Sequence, residues 1–553
     1  MIRTTKHKLT GGMLLFTALF FLYSLASPGN LPGDTEIRWS VSRQILRSGS
    51  FSLEEDFQTR NCAIGVDGKR YAVSGLGQSL CLLPFAGLGL ILEKVTPLSS
   101  EVSDLLAQFL ASVILFGGMG AAAVWILYRL TLSLGYSVRT SLIAAAALGF
   151  ATMHFHYSVN TQEQTQMSLL LVLAIWLMVK YYQQQRFVYV WLFCVVLGVC
   201  LLFRPSSVSA VLPIYLVALG SEVFTSEKTL RARKISKWLA AGVCGTGSFL
   251  VLLGWYNYVR FGSVFESGYG LSTTTSLGGH GLFESSPLPT VAAMLFSPGK
   301  SIFLYNPVLL LFPFCIYGFY RRHKVVALAI TAAIICNLVF HSFFTAWAGD
   351  YAWSIRYQVP VLPFLILPMV VLFGRGVKTT AKILIVSLIS ISCVIQLASV
   401  AYNFNLEFIQ NPNHHVIADN YVWDWSHSHL RKRFENIIGH ITGNRSFSSV
   451  KVMNEEPTLL KFNRTKREVQ TAYCVNFFPF KAKSMGDSRT AYTSGRLFYP
   501  LLCFWLALLV LFWAAAFKLI QFFIRQRTDN KGQKLQGGTP ERISGKDKAN
   551  LIF

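Results

Sequence analysis

Leu76-Gly77-Gln78-Ser79-Leu80-Cys81-Leu82-Leu83-Pro84-Phe85-Ala86-Gly87-Leu88-Gly89-Leu90-Ile91-Leu92-Glu93 is the stretch on which the topology turns. It is apolar and long enough to cross a bilayer as a helix. Its Gly-x-Gly and Pro84 interruptions equally suit a segment that lies in, or dips into, one leaflet. Charge decides between the two. Lys and Arg collect in Arg3, Lys6 and Lys8; Arg129 and Arg139; Lys180 and Arg186; and Lys228, Arg231, Arg233, Lys234 and Lys237. The same set continues with Arg321, Arg322 and Lys324, with Arg375 and Lys378, and with the tail from Arg525 to Lys548. These are alternate connectors if the stretch at 76–93 does not span. If it spans, every later basic loop changes side, against the cytoplasmic bias of Lys and Arg. The stretch is therefore read as an interfacial helix, with both chain ends in the cytoplasm.

The rest of the chain agrees with a membrane protein. It has 553 residues, 53% hydrophobic and only 14% charged, and a mean hydropathy of +0.45. A soluble chain carries more charge. Twelve apolar runs read as spans: 9–26, 104–130, 138–156, 165–182, 187–203, 207–221, 238–258, 302–320, 325–344, 358–374, 382–400 and 497–523. The first run has a signal-peptide-like basic flank, but the many spans behind it favour an uncleaved helix. The net charge of +24 belongs to cytoplasmic loops rather than to a nucleic-acid partner. Most of the ten cysteines sit inside apolar runs as small core residues; Cys62 and Cys474, in polar stretches, allow a disulfide.

The expected architecture is an all-α polytopic membrane protein of about twelve helices with a small extracytoplasmic domain of mixed α/β character. Residues 1–400 form the transmembrane module, in which 27–103 is the first outer loop. Residues 401–496 form the outer domain, 497–523 the last span, and 524–553 a polar cytoplasmic tail read as disordered.

The unusual side chains fall on the outer connectors. Gly33-Asp34-Thr35-Glu36-Ile37-Arg38-Trp39 follows the first span. Two carboxylates and a guanidinium so close to hydrocarbon are costly and point to function. Asp34 suits a general base, with Glu36 in support and Arg38 on a phosphate. A solvated loop with Asp34 as a helix cap fits the same residues, as does an Asp34–Arg38 salt bridge on one helical face. Met153-His154-Phe155-His156-Tyr157 and Glu163 come next. His154 and His156 could face a ligand or pack in an aromatic belt. Glu163 has no Lys or Arg in its own loop. Arg204, before Pro205, either snorkels to headgroups or grips a phosphate.

Farther along, Arg260 and Lys300 offer positive charge, the latter in Ser297-Pro298-Gly299-Lys300 at a helix start. A turn with a helix cap is the plainer reading there. His280 stands in a Gly-Gly-His-Gly loop. Trp347, Asp350, Arg356 and Tyr357 bring aromatic faces, a carboxylate and a cation together. That combination suits a sugar and its phosphate, or an interfacial belt with an Asp350–Arg356 pair.

The order of these pieces resembles the GT-C glycosyltransferases that use polyprenyl-phosphate sugars, including protein mannosyltransferase and aminoarabinose transferase relatives. A short first span, Gly33-Asp34-Thr35-Glu36, a Gly-Leu-Gly-Gln-Ser-Leu-x-x-x-Pro segment (Gly75 to Pro84) and a second acidic loop with Glu163 carry the resemblance. Asn-Tyr-x-Arg-Phe-Gly, Ser-Pro-Gly-Lys and Trp-x-Gly-Asp…Arg-Tyr are similar to one bacterial branch.

The resemblance implies an inverting transfer of sugar from a polyprenyl-phosphate carrier to a cell-envelope glycan, lipid or protein. It places the reaction on the outer face of a bacterial cytoplasmic membrane. It implies Asp34 as catalytic base, Glu163 as a second active-site acid, and the Gly75–Pro84 segment at the donor phosphate. Relatives often carry Lys-Pro-Pro there, where this chain has Val73-Ser74-Gly75-Leu76; Arg204, Arg260 or Lys300 then substitutes. With no Asp-x-Asp in the first loop, no cofactor is required, and a divalent metal is neither called for nor ruled out. A polymerase or ligase using pyrophosphate-linked donors, or a lipid-linked sugar flippase, are the rival functions.

Overall fold

The computed structural model describes residues 2–54, 61–271, 281–349, 352–373, 377–403, 406–409, 422–443, 475–480 and 498–535. The chain enters through α1 (Ile2–Ala26) and α2 (Asp34–Ser48), then a hairpin of β1 (Cys62–Ile64) and β2 (Arg70–Ala72), then α3 (Gly77–Val95). Next come α4 (Ser100–Ser133), α5 (Val138–Ala151), α6 (His154–Val159), α7 (Glu163–Gln184) and α8 (Phe187–Phe203). They are followed by α9 (Pro205–Phe224), α10 (Lys228–Phe261), α11 (Pro287–Phe296), α12 (Pro307–Tyr320) and α13 (Lys324–Ser342). Last are α14 (Arg356–Phe373), α15 (Thr379–Ala401), α16 (His429–Thr442) and α17 (Phe498–Leu535).

Among the described residues, ten helices are long and apolar enough to cross a membrane, and α5, α8, α11 and α12 are shorter apolar helices. A helix lies on each of the twelve expected spans. By length and composition α3, over the stretch read as interfacial, is one of the ten. It packs between α2 and α4.

Helix α7 is the axis of the core. Its Leu171, Val172, Ala174, Ile175 and Met178 are fully buried, held between α4 and α8. Helix α17 packs beside α1 and stays mostly exposed, with Val510, Trp513 and Phe517 bare, as suits a helix surrounded by lipid. Of the expected mixed α/β outer domain at 401–496, most lies outside the described residues. In the described part α16 is helical, and the one strand-like contact is an isolated bridge between Tyr402 and Val475. Cys474 lies outside the described residues.

Local sequence sets the ends of the elements that matter. Gly33, at φ 62°, turns the chain so that Asp34 becomes the first residue of α2; a left-handed backbone is cheap for glycine. Pro205 disfavours helix at the residue before it, so Arg204 leaves α8 in an extended conformation, at φ −155° and ψ 116°. Gly75 and Gly77 lie against the end of α8, where a Cβ on Gly75 would stand 2.3 Å from the Leu202 carbonyl oxygen. These absent side chains let the chain before α3 close on α8 just where Arg204 turns out.

Candidate active site

Asp34, Ile37, Arg38, Asn61, Val73, Ser74, Glu163, Arg204, Tyr269, Phe344, Ala346, Arg356 and Tyr357 line one cleft. Residues separated by more than 300 positions meet here. Both carboxylates are the first residues of their helices, α2 and α7, where the backbone dipole favours negative charge. Neither helix start carries a side-chain cap bond, and the caps are Gly33 and Gln162. Asp34 is therefore not spent on capping.

Asp34 accepts a hydrogen bond from Asn61 Nδ2 at 2.7 Å and lies 3.5 Å from Arg356 Nη1. Burial pushes its carboxyl up, but Arg356, Arg38, the Asn61 bond and Arg204 outweigh this and hold it below the ordinary carboxylate range. Its side chain keeps 26% exposure, so it is reachable from the cleft while remaining ionised.

Glu163 is held on both sides. Arg38 Nη1 lies 2.8 Å from Oε2, and Arg204 Nη1 lies 2.8 Å from Oε1. Arg38 thus turns to Glu163 rather than pairing with Asp34 along the helix. Arg204 is steadied by Ser206 Oγ at 3.0 Å and lies 4.5 Å above the Tyr357 ring. His341 stacks on that ring at 4.9 Å, and Arg356 Nη2 donates to the Tyr357 hydroxyl at 3.3 Å. Three guanidiniums face two carboxylates, so the cleft keeps an excess positive charge.

Three elements are tied together at Thr161. Its carbonyl accepts from Thr35 Oγ1 of α2 at 2.5 Å and from Gln78 Nε2 of α3 at 3.3 Å. Thr161 sits at φ 29°, a strained backbone for a β-branched residue. The strain is held where Glu163 enters the cleft.

Other residues singled out in the sequence serve the walls rather than the cleft. Arg260 is buried, donates to the Ala72 carbonyl and to Asn257 Oδ1, and lies 3.6 Å above the Tyr256 ring. It fastens the hairpin that carries Asn61 and Val73. Lys300 is fully buried and donates to the Ala352 carbonyl at 2.7 Å. Ser354, at φ 56°, donates to the Lys300 carbonyl, so this lysine shapes the loop that delivers Arg356. Neither cation is among the residues that line the cleft.

His154 is in the core, with Nε2 3.0 Å from the Gly120 carbonyl oxygen, and His156 stacks on Trp353 at 5.8 Å. Trp347 packs half-buried on the core. Glu36 is exposed and does not line the cleft. His280 and Asp350 lie outside the described residues, and the expected Asp350–Arg356 pair with them; Arg356 lies beside Asp34. Asn61 and Tyr269 were missed. A lone Asn before a strand and a Tyr in a glycine-rich loop carry no pattern that marks them.

Residues 99–255, which include Glu163 and Arg204, match the family model described as dolichyl-phosphate-mannose-protein mannosyltransferase. Over that stretch the match supports the resemblance to GT-C glycosyltransferases. No curated protein matches the chain. Among solved structures, ArnT from Cupriavidus metallidurans bound to undecaprenyl phosphate is similar at 14% identity and TM-score 0.45, over 97% of this chain and 81% of that one. The archaeal oligosaccharyltransferase AglB from Archaeoglobus fulgidus, in complex with an inhibitory peptide and a dolichol-phosphate, is similar at 11% identity and TM-score 0.43, over 76% and 60%. The Archaeoglobus fulgidus oligosaccharyltransferase complexed with Zn and sulfate is similar at 11% and 0.43, over 75% and 58%.

Proposed function

We propose that this chain is an inverting GT-C glycosyltransferase that moves a sugar from a polyprenyl-phosphate carrier to an acceptor hydroxyl on the outer face of a bacterial cytoplasmic membrane. The observation that carries the reading is an ionised, reachable Asp34 in a cleft with three guanidiniums. Asp34 takes the proton of the acceptor hydroxyl. The acceptor oxygen attacks C1 of the sugar from the face opposite the phosphate. The C1–O bond breaks, and its electron pair leaves with the lipid phosphate. Hydrogen-bonding cations aimed at a leaving phosphate are the chief means of stabilising such a step.

Arg356 and Arg204 are the groups assigned to the phosphate. They lie 5.2 and 4.5 Å from the centre of the Tyr357 ring, and both keep some exposure, at 13% and 17%. Arg38, at 5%, is held by Glu163 and sets the charge of the wall. Glu163, buried between two arginines, is assigned to positioning rather than to proton transfer. No metal takes part in this scheme. The acceptor is a glycan, lipid or protein of the cell envelope.

The test is transfer by the purified protein in liposomes, offered sugars on polyprenyl monophosphate and on polyprenyl pyrophosphate. The reading expects product from the monophosphate donor with inverted anomeric configuration. Product from the pyrophosphate donor alone, or retention at C1, overturns it.

A further inference from the structure

The outward side of the β1–β2 hairpin continues the lipid-facing surface of α10. Toward its end α10 exposes Val251 (74%), Trp255 (50%), Tyr258 (59%) and Val259 (39%). Their spacing places them on one helical face. The chain then turns at Gly262, where Val66 Cγ1 lies 2.9 Å from the place a Cβ would occupy. The Val66 amide donates to the Arg260 carbonyl at 3.1 Å. The hairpin tip is thereby seated on the helix end.

From that seat the exposed apolar surface runs on through Val66 (69%), Ile64 (55%), Val264 (47%) and Phe265 (94%). A phenylalanine so fully exposed is unusual beside a surface of this kind. Cations stand next to it. Ile64 pairs across the strands with Arg70, and both are exposed. Lys69 is exposed and lies 3.6 Å from the exposed Asp67. The opposite side of the same segments faces the cleft, through Asn61, Val73 and Tyr269.

We infer that this tip is a lipid-binding surface: Ile64, Val66 and Phe265 enter the boundary between headgroups and acyl chains, and Lys69 and Arg70 hold anionic headgroup phosphates. Apolar groups flanked by basic ones are the pattern of a surface that lies in the membrane interface. The continuity with α10 favours lipid over a protein partner. Through Arg260 and the Ala72 carbonyl the same anchor fixes the wall that carries Asn61. The inference does not depend on the glycosyltransferase reading.

The test replaces Val66, and separately Phe265, with p-benzoylphenylalanine in the full chain. Val251 serves as a lipid control and Glu435 as an aqueous one. The protein is placed in nanodiscs of phosphatidylcholine with phosphatidylglycerol, illuminated, and read by mass spectrometry for lipid adducts. Adducts at Val66 and Phe265 should match Val251 in order of magnitude and exceed Glu435 by about tenfold. Adding Lys69→Gln and Arg70→Gln should cut the Phe265 yield about threefold in these discs and leave it unchanged in pure phosphatidylcholine. Lipid adducts at Val251 but none at Val66 and Phe265, or cross-links to protein in their place, overturn the inference. Equal yields with and without the two cations in anionic discs overturn the headgroup contact.

Discussion

Glu163→Gln isolates what the buried carboxylate does. The substitution keeps shape and removes one charge that two guanidiniums share at 2.8 Å each. With charge centres roughly 4 Å apart and an effective dielectric near 20, each such pair is worth about 4 kcal/mol. The two arginines lose unequally. Arg204, 17% exposed, can turn to water, whereas Arg38, 5% exposed, cannot. Leaving one buried partner uncompensated costs about 3–5 kcal/mol, and that is the expected destabilisation. Adding Arg38→Met removes the stranded charge and should recover most of it, a coupling of about 3 kcal/mol. Unfolding in mixed micelles titrated with SDS, followed by tryptophan fluorescence, measures both. A Glu163→Gln protein as stable as the parent, or a double variant no better than the single one, refutes the reasoning.

Three further outcomes are expected. Gly75→Ala forces a Cβ into the Leu202 and Phe203 carbonyl oxygens, at 2.3 and 2.5 Å. It should cost about 1–3 kcal/mol and weaken lipid-phosphate binding, whereas Gly87→Ala, with Leu46 Cδ1 at 3.7 Å, should be neutral in the same binding assay. Because Arg356 helps hold the Asp34 carboxyl low, Arg356→Gln should move the acid limb of the pH–rate profile to higher pH, read from initial rates across the acid range. The buried Glu407–His429–Arg433 cluster should make the docking of α16 acid-sensitive. Burial lowers His429 to about 4, and Arg433 outweighs burial to bring Glu407 to about 2. Both are depressed, so their contribution is complete above about pH 6.5. It should fall first as His429 is forced to charge and then as Glu407 is protonated, and amide exchange in α16 reports the loss.

Much of the fold is legible because hydrophobic runs and alternating basic loops are physical requirements of a bilayer. The cleft is legible only in part. Asp34, Glu163, Arg204, Arg356 and Tyr357 stand out as costly or aromatic groups near hydrocarbon. Their pairing does not, because ion pairs between residues hundreds of positions apart leave no local pattern. Glu163 looked isolated because its two cations come from α2 and from the end of α8. Arg260 and Lys300 look like ligand-binding cations in a sequence, yet each is buried and donates to a backbone carbonyl. Nothing in one sequence separates a buried cation that braces a loop from one that meets a substrate. The position of Arg204 was written locally, in the proline behind it. Without Gly75 and Gly77 closing on the same helix end, that turn would not face Asp34.

The most direct measurement is sugar transfer and donor binding by purified Asp34→Asn protein in liposomes, beside Asp34→Glu. Loss of the base should lower transfer by about 10²–10⁴-fold while the polyprenyl-phosphate sugar still binds, with partial return of activity in the Glu variant. Transfer by Asp34→Asn at the parent rate would contradict the account.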